Sequence, residues 1–135
     1  MFKNAPDVGA TILPPEAVAI VASLTSLGTL SSPFVTTGRS GVKHTFTFGT
    51  SDANGANIVC DIVAGSSPAD ETKVLSLFIK IYDVGAKYAI LCAIPSLTAE
   101  ARKLSSLYKM LVIEAANMDS AISLVTEALR RLAKG

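Results

Sequence analysis

Tryptophan is absent from this chain of 135 residues, and histidine occurs once, as His44. A single histidine excludes metal sites that need two histidine ligands. A Ser-His-Asp triad would have to use His44, and the sequence around it lacks the form of a nucleophile elbow. We therefore interpret His44 as a strand residue that is satisfied by a hydrogen bond.

Charged residues are scarce as well, at 17% of the chain, and the formal net charge is only +1. This balance excludes an acidic tail and a strongly basic nucleic-acid coat, although it allows a local basic patch. Half of the residues are apolar, which excludes a disordered chain. The composition is typical of a small globular domain with one core.

The two cysteines, Cys60 and Cys92, each lie in an apolar run. We expect buried structural thiols, because free cysteine packs like a small hydrophobic residue, and neither has a second ligand close in sequence that would indicate a metal site. Their number favours a reducing compartment, so a cytoplasmic location is expected.

The uncharged stretch 17–37 is interrupted by Gly28 and Pro33, so we interpret it as a buried helix and a turn, with no membrane partner.

Residues 1–13 show no periodicity and are predicted to be a flexible N-terminal arm, followed by a single domain over 14–135. Within that domain, capping residues, glycines and hydrophobic periods delimit the elements. The predicted helices begin at Pro14, at a Ser67–Asp70 capping box, at Thr98 and at Asn117, and the first two end at Gly28 and Gly85. The predicted strands are Leu30–Val35, Val42–Thr50, Ala56–Val63, Tyr88–Ile94 and Met110–Ala115, with a turn at Arg39–Gly41 and a hairpin turn at Asp52–Gly55.

This order predicts an α/β fold: a three-layer mixed β-sheet flanked by helices, with an αβββαβ core and an added αβα. The sheet should be antiparallel at the hairpins and parallel where helices intervene. Apolar residues recur at helical spacing in all four predicted helices. The later stripes comprise Val74, Leu75, Phe78, Ile79 and Tyr82, then Leu104, Leu107 and Tyr108, then Ala121, Ile122, Val125, Leu129 and Leu132.

Three groups of residues carry a resemblance to a known family. They are Gly38–Phe46 with Ile58–Asp61, then Tyr82–Pro95 with Leu97–Leu104, and finally Leu107–Glu114. Together they resemble the PD-(D/E)XK nuclease superfamily, most closely the Mrr-type restriction-endonuclease-like domains of uncharacterised archaeal proteins. The resemblance covers residues 14–116 and implies a restriction-endonuclease-like fold, in agreement with the element order.

The superfamily places an acid on one hairpin strand and an acid-x-Lys pattern on the next, where the carboxylates hold Mg²⁺ for phosphodiester hydrolysis. At the matching positions this chain has Thr47, and then Asp61 with Val63 in place of the lysine. A further frequent acid position is Thr45. Asp61 is thus the one acid that is retained, and the resemblance implies a pseudo-nuclease without a cofactor. Mg²⁺ would bind only if the residual acid site were active.

Three functions follow as hypotheses. The first is binding of DNA or RNA without cleavage, through Arg39, Lys43 and His44 at the expected cleft. Other basic residues that could contact phosphates are Lys103, Lys109, Arg130 and Arg131.

The second hypothesis is a protein-interaction or self-assembly module, such as a homodimer, which uses apolar residues of 18–22 or 118–132. The third is a metal-dependent nuclease whose active-site residues have moved, with Lys73 or Lys80 as the lysine and Glu16 as a second carboxylate.

Overall fold

The computed structural model describes residues 29–53, 55–108 and 110–134, which form seven strands and three helices. The predicted arm 1–13 and first helix, with Glu16, lie outside the described residues, and so does Lys109. The strands are β1 (Thr29–Ser31), β2 (Phe34–Thr37), β3 (Lys43–Phe46), β4 (Phe48–Asp52), β5 (Gly55–Ala64), β6 (Tyr88–Ile94) and β7 (Leu111–Glu114). The helices are α1 (Glu71–Val84), α2 (Ala99–Leu107) and α3 (Met118–Lys134).

Five strands form a mixed sheet in the order β1-β4-β5-β6-β7. The pairs β1–β4 and β4–β5 are antiparallel, whereas β5–β6 and β6–β7, which are connected through helices, are parallel. β5 lies at the centre and is buried over residues 58–62, as its nearly continuous apolar run predicts. The predicted α/β class with a mixed sheet is confirmed.

Two of the predicted strands are wrong, because each is divided between two sheets. The stretch Leu30–Val35 is split into β1 and β2, and Val42–Thr50 into β3 and β4. β2 and β3 pair with each other as a separate antiparallel ribbon, in which Thr36 lies opposite His44. Five strands therefore precede α1 in place of the predicted three. The alternation of apolar and polar residues does not reveal the break, because it continues through Thr47.

The helix ends follow local chemistry. α1 begins after Asp70, whose carboxylate accepts a hydrogen bond from the backbone N–H of Thr72, so the predicted cap at Ser67 is wrong by three residues. Gly85 ends α1 with a left-handed backbone (φ +71°), which glycine adopts without strain. The predicted caps Thr98 and Asn117 are confirmed, since each accepts a backbone hydrogen bond in the first turn of its helix.

The sheet separates two cores, which makes the architecture three-layered. On one face, α3 packs against alternate residues of β5 and β6, including Cys60 and Cys92. On the other face, α1, α2 and the β2–β3 ribbon cover the intervening residues, including Val59 and Leu91. Both cysteines are buried and free, as predicted. Among the described residues, no helix is both long and apolar enough to cross a lipid bilayer.

The stripe predicted for α3 is confirmed, but the stripes of α1 and α2 are partly wrong. In α1 the fully buried residues are Val74 and Leu77. Four side chains expected on the inner faces are instead exposed: Leu75, Ile79, Tyr82 and Leu107.

Candidate functional site

Asp61 is buried in the sheet, with 5% of the residue exposed. Side chains alternate along a strand, so Cys60 and Ile62 face α3, whereas Asp61 faces α1 and the ribbon. A carboxylate that is buried there needs hydrogen bonds and a counter-charge. The residue that the sequence singles out thus lies in the interior, at the junction of the ribbon, the central strand and α1.

Lys80 provides the counter-charge. Its ammonium lies 2.6 Å from Asp61 Oδ2 and donates a second hydrogen bond of 2.7 Å to the backbone oxygen of Thr45. It also lies 4.6 Å from the centre of the Phe46 ring, within cation–π distance. The side chains of Lys80 and Asp61 are only 14% and 7% exposed. Asp61 and Lys80 therefore form a largely buried ion pair that connects α1 to β5 and to the ribbon.

Thr47 completes the environment of Asp61 at the point where β3 gives way to β4. Its backbone N–H donates to Asp61 Oδ1 over 3.1 Å, and its hydroxyl oxygen accepts a hydrogen bond of 2.9 Å from the backbone N–H of Ile62. Side chains thus replace the ladder hydrogen bonds that are lost between the two sheets. Thr47, at the expected position of an acid, therefore has a structural role.

The residues around Asp61 do not fit a Mg²⁺ ion. Such an ion takes about six oxygen ligands, usually with one or two carboxylates. Among the described residues one carboxylate is present here, and the Lys80 ammonium is hydrogen-bonded to both Asp61 Oδ2 and the Thr45 oxygen. Residues 29–53, 55–108 and 110–134 contain no group of three or more acidic, histidine or cysteine side chains that could hold a metal.

Of the two lysines considered as relocated residues, Lys80 alone contacts Asp61. Lys73 lies two helical turns earlier, about 10 Å away along the axis. The hydrogen bonds from Thr72, followed by the charge of Lys73, lower the pKa of Asp70 there. Lys80 is close enough to Asp61 for a catalytic pair, and its ammonium neutralises the carboxylate.

A second polar cluster fixes the turn of the ribbon on the C-terminal end of α1. Asp83 accepts hydrogen bonds from the backbone N–H of Ser40 at 2.9 Å and from its hydroxyl at 2.6 Å. Nε2 of His44 lies 2.7 Å from the same carboxylate. The Ser40 and His44 hydrogen bonds lower the pKa of Asp83 to about 2. A Cβ atom at Gly38 would lie only 2.0 Å from Asp83 Oδ2, so the turn requires glycine there.

These three residues are of the types found in a catalytic triad, but their order is not that of a triad. Asp83 lies between Ser40 and His44, and the Ser40 hydroxyl is bonded to the carboxylate. Activation of a serine requires the histidine to accept the proton of the hydroxyl. The cluster is therefore a clamp for the turn, in which His44 is a strand residue satisfied by a hydrogen bond, as predicted.

The structure separates the three residues predicted to bind nucleic acid. Lys43 is exposed on the outer face of the ribbon, opposite Thr37. Arg39 is also exposed; its guanidinium lies 5.2 Å from the centre of the Tyr82 ring and donates to the Tyr82 backbone oxygen. The side chain of His44 is only 13% exposed and bonded to Asp83. Lys43 therefore lies on the outer face of the ribbon, Arg39 lies against the end of α1, and His44 is held inside the clamp.

Two further polar residues were not identified from the sequence. Glu114, at the end of β7, accepts a hydrogen bond from the backbone N–H of Leu97 and two from the guanidinium of Arg102. The Arg102 hydrogen bonds, followed by that of Leu97, lower the pKa of Glu114 to about 2. This pair connects β7 to the start of α2.

The remaining basic candidates lie elsewhere, Lys103 on α2 and Arg130 and Arg131 on α3.

Comparisons with known proteins inform the fold alone. No family model matches the chain, and no curated protein matches it. Among solved structures, the chain is similar to the crystal structure of a protein of unknown function, AF1548, with a TM-score of 0.58 and 12% sequence identity. The match covers 84% of this chain and 64% of that one, so this chain spans less than two thirds of its structural neighbour.

Proposed function

We propose that this chain is a catalytically inactive, restriction-endonuclease-like domain of the PD-(D/E)XK type, which binds nucleic acid without a metal ion. The observation that carries the proposal is the pair of Asp61 and Lys80, in which an ammonium is bonded to the one acid that matches the nuclease pattern. An ammonium at this distance opposes the binding of a second cation at the same carboxylate, because the two positive charges repel each other. The two buried free cysteines fit a cytoplasmic protein.

The outer face of the ribbon is the surface we assign to DNA or RNA. A two-stranded ribbon is narrow enough to enter the major groove of B-form DNA. Lys43 supplies exposed positive charge there, and Arg39 supplies it at the turn beside α1. The one acid of the adjoining clamp, Asp83, already accepts hydrogen bonds from Ser40 and His44. With so few cations, binding should be weak, independent of sequence and strongly reduced by salt.

The test measures fluorescence anisotropy of labelled DNA and RNA duplexes and single strands at low salt. We expect binding that weakens as salt rises and is unaffected by EDTA. Lys43→Glu should weaken it about tenfold, since it replaces an attraction for phosphate with a repulsion. Arg131→Glu is the matched control, because it changes the net charge equally at an exposed position of α3.

Two results would contradict the proposal. No binding of any of these nucleic acids at low salt would exclude the nucleic-acid function. Cleavage in the presence of Mg²⁺ or Mn²⁺, abolished by Asp61→Ala, would show that the chain is a nuclease after all. If Arg131→Glu reduced binding and Lys43→Glu did not, the interface would lie on α3 rather than on the ribbon.

Self-assembly is the second candidate function, and one observation favours it. α1 exposes a row of large apolar side chains on the side opposite its core face. This surface differs from the two segments that the sequence suggested: the stripe of 118–132 is used by the core, and 18–22 lies outside the described residues.

A further inference from the structure

α1 is apolar on two sides. Val74 and Leu77 are buried against the sheet, whereas Leu75, Ile79 and Tyr82 on the outer side are 39%, 61% and 68% exposed. The spacing of four and then three residues aligns these side chains along one line of the helix, which is the pattern of a seam between two helices. The exposed apolar residues of α1 thus have the spacing that is found where two helices pack against each other.

α2 runs beside α1 in the same direction and exposes a further large apolar side chain. The bridge between Ala69 and Leu97 joins the residues before the two helices, and the stacked rings of Phe78 and Tyr108, 4.0 Å apart, join their later turns. Leu107, near the end of α2, is 71% exposed. A cavity of about 310 Å³ lies along α2, where Leu104 and Leu107 line it, and Glu71 of α1 borders it.

Charges differ between the two ends of this surface. At the beginning of α1 and α2 lie the exposed carboxylates of Glu71 and Glu100, with Lys103 at the side of the cavity. At the end of α1 lies the guanidinium of Arg39, held over the ring of Tyr82. An apolar row with an acidic residue at one end and a basic residue at the other is complementary to itself in the antiparallel direction.

We infer that this surface, formed by Leu75, Ile79 and Tyr82 of α1 with Leu107 of α2, is the contact site for a second copy of the chain. A twofold axis near Ile79 places Leu75 opposite Tyr82 of the second copy, because Leu75 and Tyr82 lie at similar distances from Ile79 along the helix. The same rotation brings Glu71 towards Arg39 of the second copy. The two α1 helices run antiparallel, so their dipoles also attract each other.

The charge pattern favours a second copy over an unrelated helix. One apolar row would accept many amphipathic partners. A second copy of the same surface, rotated by 180°, also places an opposite charge beside each charged end of the row. The inference does not rest on nucleic-acid binding: the two proposals share Arg39, but Lys43 takes no part in the contact and Ile79 takes no part in nucleic-acid binding. The two proposals can therefore fail separately.

Sedimentation equilibrium over a range of concentrations tests the contact. We expect a monomer–dimer equilibrium in the wild-type chain. Ile79→Asp should weaken it at least about 100-fold, since it places a charge at the centre of an apolar contact. Leu124→Asp is the matched control, because Leu124 is 44% exposed on α3 and lies outside the contact. Circular dichroism verifies that both variants are folded.

A second variant tests the charges. Glu71→Arg should weaken the dimer about fivefold at low salt and less at high salt, because it places like charges opposite each other at a screened position. A chain that stays monomeric at about 1 mM, where even weak specific contacts form, would overturn the inference. So would a dimer that Ile79→Asp leaves intact or that Leu124→Asp disrupts.

Discussion

Lys80 and Asp61, which are 19 residues apart in the chain, form an ion pair of 2.6 Å with little access to water. The pair joins the third turn of α1 to the central strand, and through the Thr45 oxygen it also holds the ribbon. A buried pair of this kind stabilises little relative to an apolar pair of the same volume, but the loss of one partner leaves an uncompensated charge. Substitution of one partner or of both can therefore distinguish the cost of an unpaired charge from the contribution of the pair to the free energy of unfolding.

Lys80→Met should lower the free energy of unfolding by about 3 kcal/mol, because it leaves the Asp61 carboxylate buried without a counter-charge. Urea denaturation at neutral pH measures the change. The control is Lys103→Met, which removes an exposed ammonium of α2 and should cost less than about 0.5 kcal/mol.

The double variant Lys80→Met with Asp61→Asn should be more stable than Lys80→Met alone. It removes both charges, and an asparagine oxygen can still accept the hydrogen bond from Thr47. If the two changes proved simply additive, Asp61 and Lys80 would not interact and their assigned role would be wrong.

Gly38→Ala should destabilise the chain by about 1–3 kcal/mol, the usual cost of a forced steric clash, since the new Cβ atom would displace Asp83. Hydrogen exchange at the backbone N–H groups of Arg39 and Ser40, which donate to Asp83, should become faster. Gly65→Ala serves as the control, because the nearest atom to its Cβ would be 3.7 Å away. Equal exchange in the two variants would argue against the clamp.

Glu114 should make stability depend on pH. Its pKa is about 2 in the folded chain and lies near the ordinary value of 4.5 when the chain is unfolded. The lower folded value means that the stabilisation is fully present above about pH 5 and is lost as the pH falls towards 2.

Glu114→Gln keeps an acceptor for Leu97 and removes the charge. We expect it to cost about 1 kcal/mol at neutral pH, because Arg102 is half exposed and the attraction is screened. The difference from the wild type, measured by urea unfolding, should shrink between pH 5 and pH 2. A constant difference over that range would contradict the assignment.

Cys60 and Cys92 should be unreactive in the folded chain. Burial raises the pKa of Cys92 to about 11, and burial together with the neighbouring Cys92 and Asp61 raises the pKa of Cys60 well above 9.0. Thiolate is the reactive form, so a disulfide reagent should label neither thiol in buffer and both in urea. Rapid labelling without denaturant would show that the core opens at Cys60 or Cys92.

The sequence was sufficient for elements whose signals are local. Gly85 ends a helix, Thr98 and Asn117 begin helices, and the apolar run of β5 marks a central strand. The predicted cap of α1 is three residues too early. Ser67 and Asp70 both suit a cap, and the β-bridge between Ala69 and Leu97, formed by backbone hydrogen bonds, decides between them. Local signals therefore locate a helix more accurately than its first residue.

Long-range relationships were not accessible in this way. Thr47 divides an uninterrupted alternating stretch because it bonds to Asp61 and Ile62 on another strand, and no local pattern marks that position. The sequence identified Asp61 and named Lys80 among the relocated candidates, but the bond between them depends on how α1 crosses the sheet. Asp83 carried no signal, since its partners are about 40 positions earlier.

The two polar connections of the ribbon both begin on one turn of α1, at Lys80 and at Asp83. The first holds the base of the ribbon through Thr45, and the second holds its tip through Ser40. A fluctuation that frays this turn releases both ends at once, so the ribbon and the end of α1 should open as one cooperative unit with a common opening free energy. Binding of a molecule to the ribbon would then slow the hydrogen exchange of backbone N–H groups in the last turn of α1.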